Sequence, residues 1–565
     1  VLVVASLTQL FSPFVFVATA VSPRCLEDTN TFLLDMNQHA PKEYAVRMYD
    51  AFGKMGSNVE GGNANRPGLL LQCRSARAPT FSGRYCQVFL RQGTLQYFVG
   101  ICVPDSCGEE DVQLGQTSLI PPLPSILINQ STQEMIMTHC LSNTITPDAS
   151  DVTCLLVYTW IYLSLPSTLK GFKNAPLNFK FNLQRPKHPL VTKIIYCSKL
   201  FNTFSSVDRT SHTVQCVPQS CLQSCLQAFS LQTTTPGVLS ITSSIREGRY
   251  SSLNGIRVLS LLWIICGHSA QFPVISTLDN YKNWKKAVES SPLYVFTISG
   301  PVFLAVDTFL LLGGLLSARS LLGSIHTADD KLNELSFPAL RSRIQPLHIF
   351  IMCLTISLIS VVQWGPYWFP FIDTMMDCKS YWWANVLLIS NLLPVHEICV
   401  PWTWYLSLDF QCYATTPLLW QALLGWFCCL WVLALLVGLA YILKETPAFP
   451  SVPHALYQGL HRPLWALAIA WIILACEEGY GGFIQSLLSL RFWIPLSNIS
   501  FACYLTHPVF IIIYIGLQET PIHYTNINFM YMFFGHLMLT LVLSYAFTVL
   551  VEKPYLLLKL NMTKR

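Results

Sequence analysis

Charge is what this chain is short of. Only 12% of its residues are Asp, Glu, Lys or Arg, against about 25% in typical soluble domains, which excludes a large solvated surface. The net charge is +5 over 565 residues and the basic residues are scattered, so there is no footprint for nucleic acid. No Gly-x-Ser-x-Gly elbow and no phosphate loop occurs, which removes the hydrolase nucleophile and the nucleotide-binding P-loop. His-x-x-x-His spacing is missing too; a metal mechanism has no support, and no bound cofactor is expected. Apolar residues, by contrast, make up 52% of the chain. That is a membrane protein's composition.

Cysteine is plentiful, with 20 residues in three groups. Six lie between Cys25 and Cys140 in a polar, Gly-rich region, which suggests disulfides in an oxidising lumen; sequence does not choose among their fifteen pairings. Five lie between Cys154 and Cys225, and nine in the apolar remainder, where Cys usually serves as a small packing residue. Residues 1–20 are almost wholly apolar and end Ala18-Thr19-Ala20, so they read as a signal peptide or a signal anchor. Asn129-Gln130-Ser131 is a glycosylation sequon, in keeping with a lumenal region over 25–140. Tyr196-Cys197 followed by Cys216-Val-Pro-Gln-Ser-Cys221 echoes Tyr85-Cys86 followed by Cys102-Val-Pro-Asp-Ser-Cys107. Residues 141–250 therefore read as an irregular connector holding a partial copy of the Cys-rich unit.

From 253 to 555 the chain is a succession of apolar stretches, at about 253–274, 294–317, 344–363, 381–393, 401–423, 424–443, 464–476, 494–517 and 527–551. Only helices and closed barrels satisfy their backbone in lipid. The expected fold is thus an all-α, multi-pass membrane helical bundle of about nine spans behind an N-terminal Cys-rich lumenal domain. Arg246, Arg249 and the basic segment from Arg319 to Arg343 place the start of the first span in the cytoplasm, with Lys282, Lys285 and Lys286 arguing weakly against. Nine spans then deliver the basic tail, 556–565, to the outside, where the positive-inside rule does not want it.

The first span carries Arg257 and His268, eleven residues apart and so on one face about 16 Å from each other. Ionisable groups at membrane depth are costly and turn into the bundle. A neutral imidazole suits His268 to a general base. Asp307 could orient it, and Asp409, in the aromatic run Trp402-Thr-Trp-Tyr-Leu-Ser-Leu-Asp409, is a second intramembrane carboxylate. Arg341 and Arg343 stand at a membrane boundary. They suit phosphates or serve as plain topological anchors.

Arg, ten residues, then His on the first helix of such a bundle resembles the opening motif of the type-3 acyltransferases. Leu253-Asn-Gly-Ile-Arg-Val-Leu-Ser260 is similar to the animal branch named after the nose-resistant-to-fluoxetine proteins, and to its vertebrate members in particular. Tyr49-Asp50-Ala51-Phe52-Gly53, Phe81-Ser-Gly-Arg-Tyr85 and Cys102-Val-Pro-Asp-Ser-Cys107 resemble the lumenal domain of that branch. Asp307 followed by Gly313-Gly314, Arg341-Ser-Arg343, Gly479-Tyr-Gly-Gly482 and Tyr504-Leu-Thr-His507-Pro508 resemble its later motifs, with Gly313 in place of the usual Ser. The resemblance also implies further helices between Pro417 and Trp426 that this chain lacks.

What it implies is transfer of an acyl group from acyl-CoA to a hydroxyl of a lipid or another acceptor. His268 would be the base, Arg257 a positional or charge-stabilising partner, Asp307 and Asp409 site residues, and Arg341 and Arg343 the CoA-binding pair. The endoplasmic reticulum or plasma membrane is the expected location, with the N-terminal domain lumenal or extracellular. The other reading is a non-catalytic protein that binds or moves lipids or hydrophobic small molecules. His507, next to Pro508, reads as a structural group.

Overall fold

The computed structural model describes residues 21–92, 95–115, 133–141, 152, 154, 228–240, 251–276, 278–297, 300–327, 337–361, 365–368, 378, 380–394, 397–415, 426–442 and 452–563. Residues 1–20, the Asn129 sequon and the partial copy at 190–225 lie outside them.

The N-terminal domain consists of α1 (Pro23–Met36), α2 (Glu43–Asp50), α3 (Leu70–Ser75), β1 (Gly83–Gln92), β2 (Leu95–Pro104), α4 (Glu109–Gly115) and β3 (Gln133–Cys140). It is α+β, in contrast to the all-helical bundle. The sheet is antiparallel in the order β2-β1-β3. Side chains alternate across a strand, so the central strand β1 sends Cys86, Val88 and Leu90 into one core and Tyr85 into the other. Gly100 stands where a Cβ would meet the Pro67 carbonyl at 2.0 Å and the Tyr85 hydroxyl at 2.2 Å. Only glycine fits there.

The pairing of the six cysteines that sequence left open is Cys25–Cys107, Cys73–Cys102 and Cys86–Cys140. Cys86 faces Cys140 directly across the β1–β3 ladder. The other two bonds tie α1 and α3 to β2 and its end. Between these staples sits a buried carboxylate, Asp35, which accepts from the Tyr44 hydroxyl and the Gln38 amide and pairs with Lys42 at 2.9 Å. The Tyr44 bond, then the Lys42 contact, hold its carboxyl below the usual carboxylate range. A carboxyl depressed on folding adds stability above its unfolded pKa of about 3.9, and that stability is lost as pH falls through the lower folded value. Tyr44→Phe is therefore expected to flatten the fall in thermal stability of this domain below about pH 4, measured by melts across the acid range.

The bundle begins, after α5 (Leu231–Leu239), with α6 (Ser252–Ser276), α7 (Tyr281–Ser290), α8 (Phe303–Thr327) and α9 (Phe337–Val361). It continues with α10 (Trp404–Thr415), α11 (Trp426–Ile442), α12 (Val452–Glu477), α13 (Gly482–Leu488), α14 (Trp493–Gly516) and α15 (Asn526–Phe547), a π turn at Thr548–Glu552, and α16 (Lys553–Thr563). Among the described residues, four helical stretches are long and apolar enough to cross a membrane: Ser252–Val274, Pro453–Glu477, Trp493–Gly516 and Asn526–Leu558. Shorter apolar stretches lie at Phe303–Leu316, Ile344–Ser357 and Cys429–Ala440. The four longer stretches have the length and apolar composition of membrane-spanning helices, as a membrane protein requires.

The N-terminal domain sits on the loops at one end of this bundle. Lys282 N donates to Gly61 O at 2.9 Å, Gln87 Nε2 to Pro366 O at 2.5 Å and Leu71 N to Glu519 Oε1 at 2.9 Å. Those loops follow α6, α9 and α14. The C-terminal ends of all three helices therefore lie beneath the domain, and the Arg257 end of α6 lies at the far end.

The expected span at 381–393 is corrected. Cys378 and Cys399 form a disulfide with Cα atoms 4.1 Å apart across 21 residues of sequence. A chain that leaves and returns to one point crosses a membrane an even number of times, and two crossings need about 40 residues. The segment therefore turns back on itself, held by Gln345 Nε2, which donates to Val386 O at 2.7 Å, and by Asn385 Nδ2, which donates to Cys399 O at 2.7 Å. Among the described residues, four long and three shorter apolar helical stretches stand where nine spans are expected from the sequence. The bond also corrects the reading of all the later cysteines as packing residues. Under denaturing, non-reducing conditions Cys378→Ser is expected to expose one new thiol, Cys399, to alkylation, read as a single added mass.

Candidate functional site

α6 can lie close to the segment before α8 because Gly267 leaves room for Val302, whose Cγ1 would stand 2.8 Å from a Cβ. Beside it, His268 meets α14. Its Nδ1 is 2.7 Å from Nε2 of His507, and the two ring planes differ by 21°. His507 is wholly buried, and its own Nδ1 lies 2.9 Å from the carbonyl oxygen of Cys503.

That carbonyl settles the protons. A carbonyl only accepts, so His507 Nδ1 carries hydrogen and, in the neutral ring, Nε2 offers a lone pair. His268 Nδ1 must then donate to it. The consequence is a His268 whose Nε2 holds a lone pair, with no further hydrogen bond among the described residues. Phe272 packs on the ring at 4.9 Å between centroids.

Arg257 lies on the same helix about 16 Å away, as its spacing requires. Its Nη1 is 3.3 Å from Ser497 Oγ, and its charge acts on Asp409 and Tyr405 of α10. Asp409 Oδ1 is buried without a hydrogen-bond partner. It presses on α8 so closely that a Cβ on Gly313 would be 1.9 Å from it. Glycine at the position where the family usually has Ser thus has a local cause: the Asp409 carboxylate fills the space.

Aromatic rings separate the two polar groups. Tyr405 and Tyr504 meet at 4.4 Å, with Phe309 at 6.3 and 6.1 Å from them. Tyr504 donates to the Trp402 carbonyl at 2.6 Å, and Trp402 Nε1 returns a bond to Leu505 O at 3.2 Å. Mutual anchoring of this kind fixes the wall between the Arg257 and His268 ends.

Asp307 takes no part in orienting His268. Its Oδ1 is 3.7 Å from Arg462 Nη1 on α12, and the neighbouring Thr308 accepts from Trp465 Nε1 at 2.9 Å. The cause is helical phase, because Asp307 is turned about 200° from Phe309, the residue of α8 that packs on Tyr405 and Tyr504. The group that does meet His268 is His507, which the sequence reading left as structural. Its Nδ1 meets the Cys503 carbonyl, and the Tyr504 carbonyl, four residues before Pro508, also bears on the ring. The spacing of His268 and His507, 239 residues, carries no local signal. Arg341 and Arg343 fall on α9, and their side chains lie outside the described residues. The Gly479–Gly482 motif forms the turn before α13, with φ of +83° at Gly479 and +53° at Gly482. It does not contribute to the histidine pair.

A buried imidazole pair thus lies inside a bundle of apolar helices that carries a disulfide-stapled domain on one end. Two family models match parts of the chain. The nose resistant-to-fluoxetine N-terminal domain matches residues 25–114 and the acyltransferase domain matches residues 250–446. Over those two segments the chain is similar to the nose-resistant-to-fluoxetine branch of the acyltransferase-3 proteins. Among curated proteins it is similar to nose resistant to fluoxetine protein 6 of Caenorhabditis elegans, 25% identical over 412 residues that cover 53% of this chain and 49% of the relative. It is also similar to regulator of hypoxia-inducible factor 1 of the same organism, 27% identical over 183 residues, covering 31% of this chain and 34% of that protein. The chain therefore spans about half the length of the first relative and a third of the second. The 412 aligned positions exceed the share of this chain they draw on, so the worm protein carries stretches inside the aligned region for which this chain has none. No solved structure matches.

Proposed function

We propose that this chain transfers an acyl group from acyl-CoA to a hydroxyl of a lipid or another acceptor in the membrane, with His268 as general base. The observation that carries this is the hydrogen-bonded series Cys503 O, His507, His268, which leaves the lone pair of His268 Nε2 for substrate. Nε2 takes the proton of the acceptor hydroxyl as its oxygen attacks the thioester carbonyl. Collapse of the tetrahedral intermediate breaks the carbon–sulfur bond, and the departing thiolate takes that proton from Nε2. No proton is gained or lost overall.

His507 orients the ring in the way a carboxylate does in a catalytic triad. Arg257 and Asp409, at the other side of the aromatic wall, bind and place the polar part of a substrate. Arg341 and Arg343, near the start of α9, suit the phosphates of CoA, since guanidinium pairs with phosphate in bidentate fashion. The donor then approaches from the face opposite the N-terminal domain. That domain, with its three disulfides, faces an oxidising compartment, the lumen of the endoplasmic reticulum or the cell exterior.

The test is transfer from radiolabelled acyl-CoA to membrane lipid by this chain, by His268→Ala, and by a longer version carrying the internal stretches found in the worm relative. Turnover that depends on His268 supports the reading. Activity in the longer version alone would show that the stretches missing here complete the site. No transfer by either, with both inserted and a broad set of donors tried, would favour a non-catalytic protein that binds or moves lipids.

A further inference from the structure

Helix α15 is built inside out. Its outward side chains are apolar and exposed, among them Ile527, Tyr531, Met538 and Val542. Its buried residues are Met532, His536, Thr540 and Ser544, and the π turn that follows buries Thr548, Val549 and Glu552. The polar positions 536, 540, 544, 548 and 552 recur every four residues. At about 100° per residue such a row drifts by about 40° per step. The π turn at Thr548–Glu552 resets the phase, and turns of this kind are frequent at functional sites.

Some members of the row are paired and some are not. His536 Nδ1 is 3.1 Å from Ser269 Oγ, next to His268, and Ser544 Oγ is 2.7 Å from Thr506 Oγ1, next to His507. Thr540 and Thr548 are wholly buried, yet neither hydroxyl has a hydrogen-bond partner among the described residues. His348 of α9 is 2% exposed and both its ring nitrogens are also unpartnered. Helical phase turns it about 200° from Phe350, the residue of α9 that packs on Phe547 with ring centroids 5.1 Å apart, so it stands apart from the row. Leaving a buried hydroxyl unbonded costs about 1–3 kcal/mol, and native proteins usually meet that cost with internal water.

We propose that α15 holds a file of internal water molecules, bound by Thr540, Ser544 and Thr548, that runs from the histidine pair to Glu552 near the end of the bundle opposite the N-terminal domain. Successive row positions are about 6 Å apart along the axis, a gap that one water bridges between two hydroxyls. The titratable groups along the file are His268, His507 and His536 at one end and Glu552 at the other. The file gives the buried imidazoles protonic contact with solvent on the Arg257 side. It rests on the acyl-transfer reading only for the use made of that contact.

Radiolytic hydroxyl-radical footprinting of the full chain in lipid nanodiscs tests this, because radicals formed from internal water oxidise the side chains beside it. Cys503, which contacts Ser544, is expected to be modified several-fold more than Cys429 and Cys476, which are buried in an apolar cluster. Thr540→Val with Thr548→Val keeps shape and removes both hydroxyls. It is expected to lower the Cys503 signal several-fold while leaving exposed Tyr531 unchanged. Equal modification of Cys503 and Cys429 in the unaltered protein would overturn the proposal, as would signals that ignore the double substitution. If the double variant does not insert, the comparison within the unaltered protein decides alone. The readout needs no turnover, so a protein without acyltransferase activity still answers the question.

Discussion

His268→Ala is expected to reduce acyl transfer by about 10²- to 10⁴-fold, the usual contribution of a positioned general base. The expectation follows from geometry, since the one lone pair in the pair that is left for a hydroxyl is on His268 Nε2. His507→Ala removes the acceptor that fixes the His268 tautomer and leaves the base itself in place, so its loss is expected to be smaller. The double variant is expected to be no worse than His268→Ala, because groups that act as a unit are far from additive. Rates from radiolabelled acyl-CoA, corrected for the amount of inserted protein, check all three. A multiplicative double variant would mean that the histidines act separately.

The second large effect is on stability. The Cys25–Cys107 bond closes 82 residues of chain and joins α1 to the end of β2. On the chain-entropy account a loop of that length is worth roughly 4–5 kcal/mol, comparable with the whole stability of a small domain. Cys25→Ser with Cys107→Ser is expected to leave the N-terminal domain largely unfolded at physiological temperature, detected as rapid proteolysis of 21–141 while the membrane helices stay protected. Survival of that domain at the original melting temperature would show that its two apolar cores and the other two bonds suffice.

Some of this was legible in the chain alone and some was not. Composition and the run of apolar stretches named a membrane bundle, because lipid leaves few ways to satisfy a backbone. Cysteine in a polar segment named a disulfide-stapled domain, because redox compartment follows composition. Spacing placed Arg257 and His268 on one face, because α-helical phase is a local property. The motifs named the family. In each case the deciding physics acts within a few residues or in bulk.

Tertiary structure alone decided which groups meet. His507 rather than Asp307 stands beside His268, because α14 crosses α6 at that level and Asp307 is turned toward Arg462. Cys378 and Cys399 pair, so one apolar stretch turns back instead of crossing. Gly313 is explained only when Asp409 is seen against it, and the polar row of α15 only when its other face is seen to be the exposed one. Hydrogen bonds and disulfides are short-ranged in space and indifferent to distance along the chain, so no local pattern in the sequence announces them.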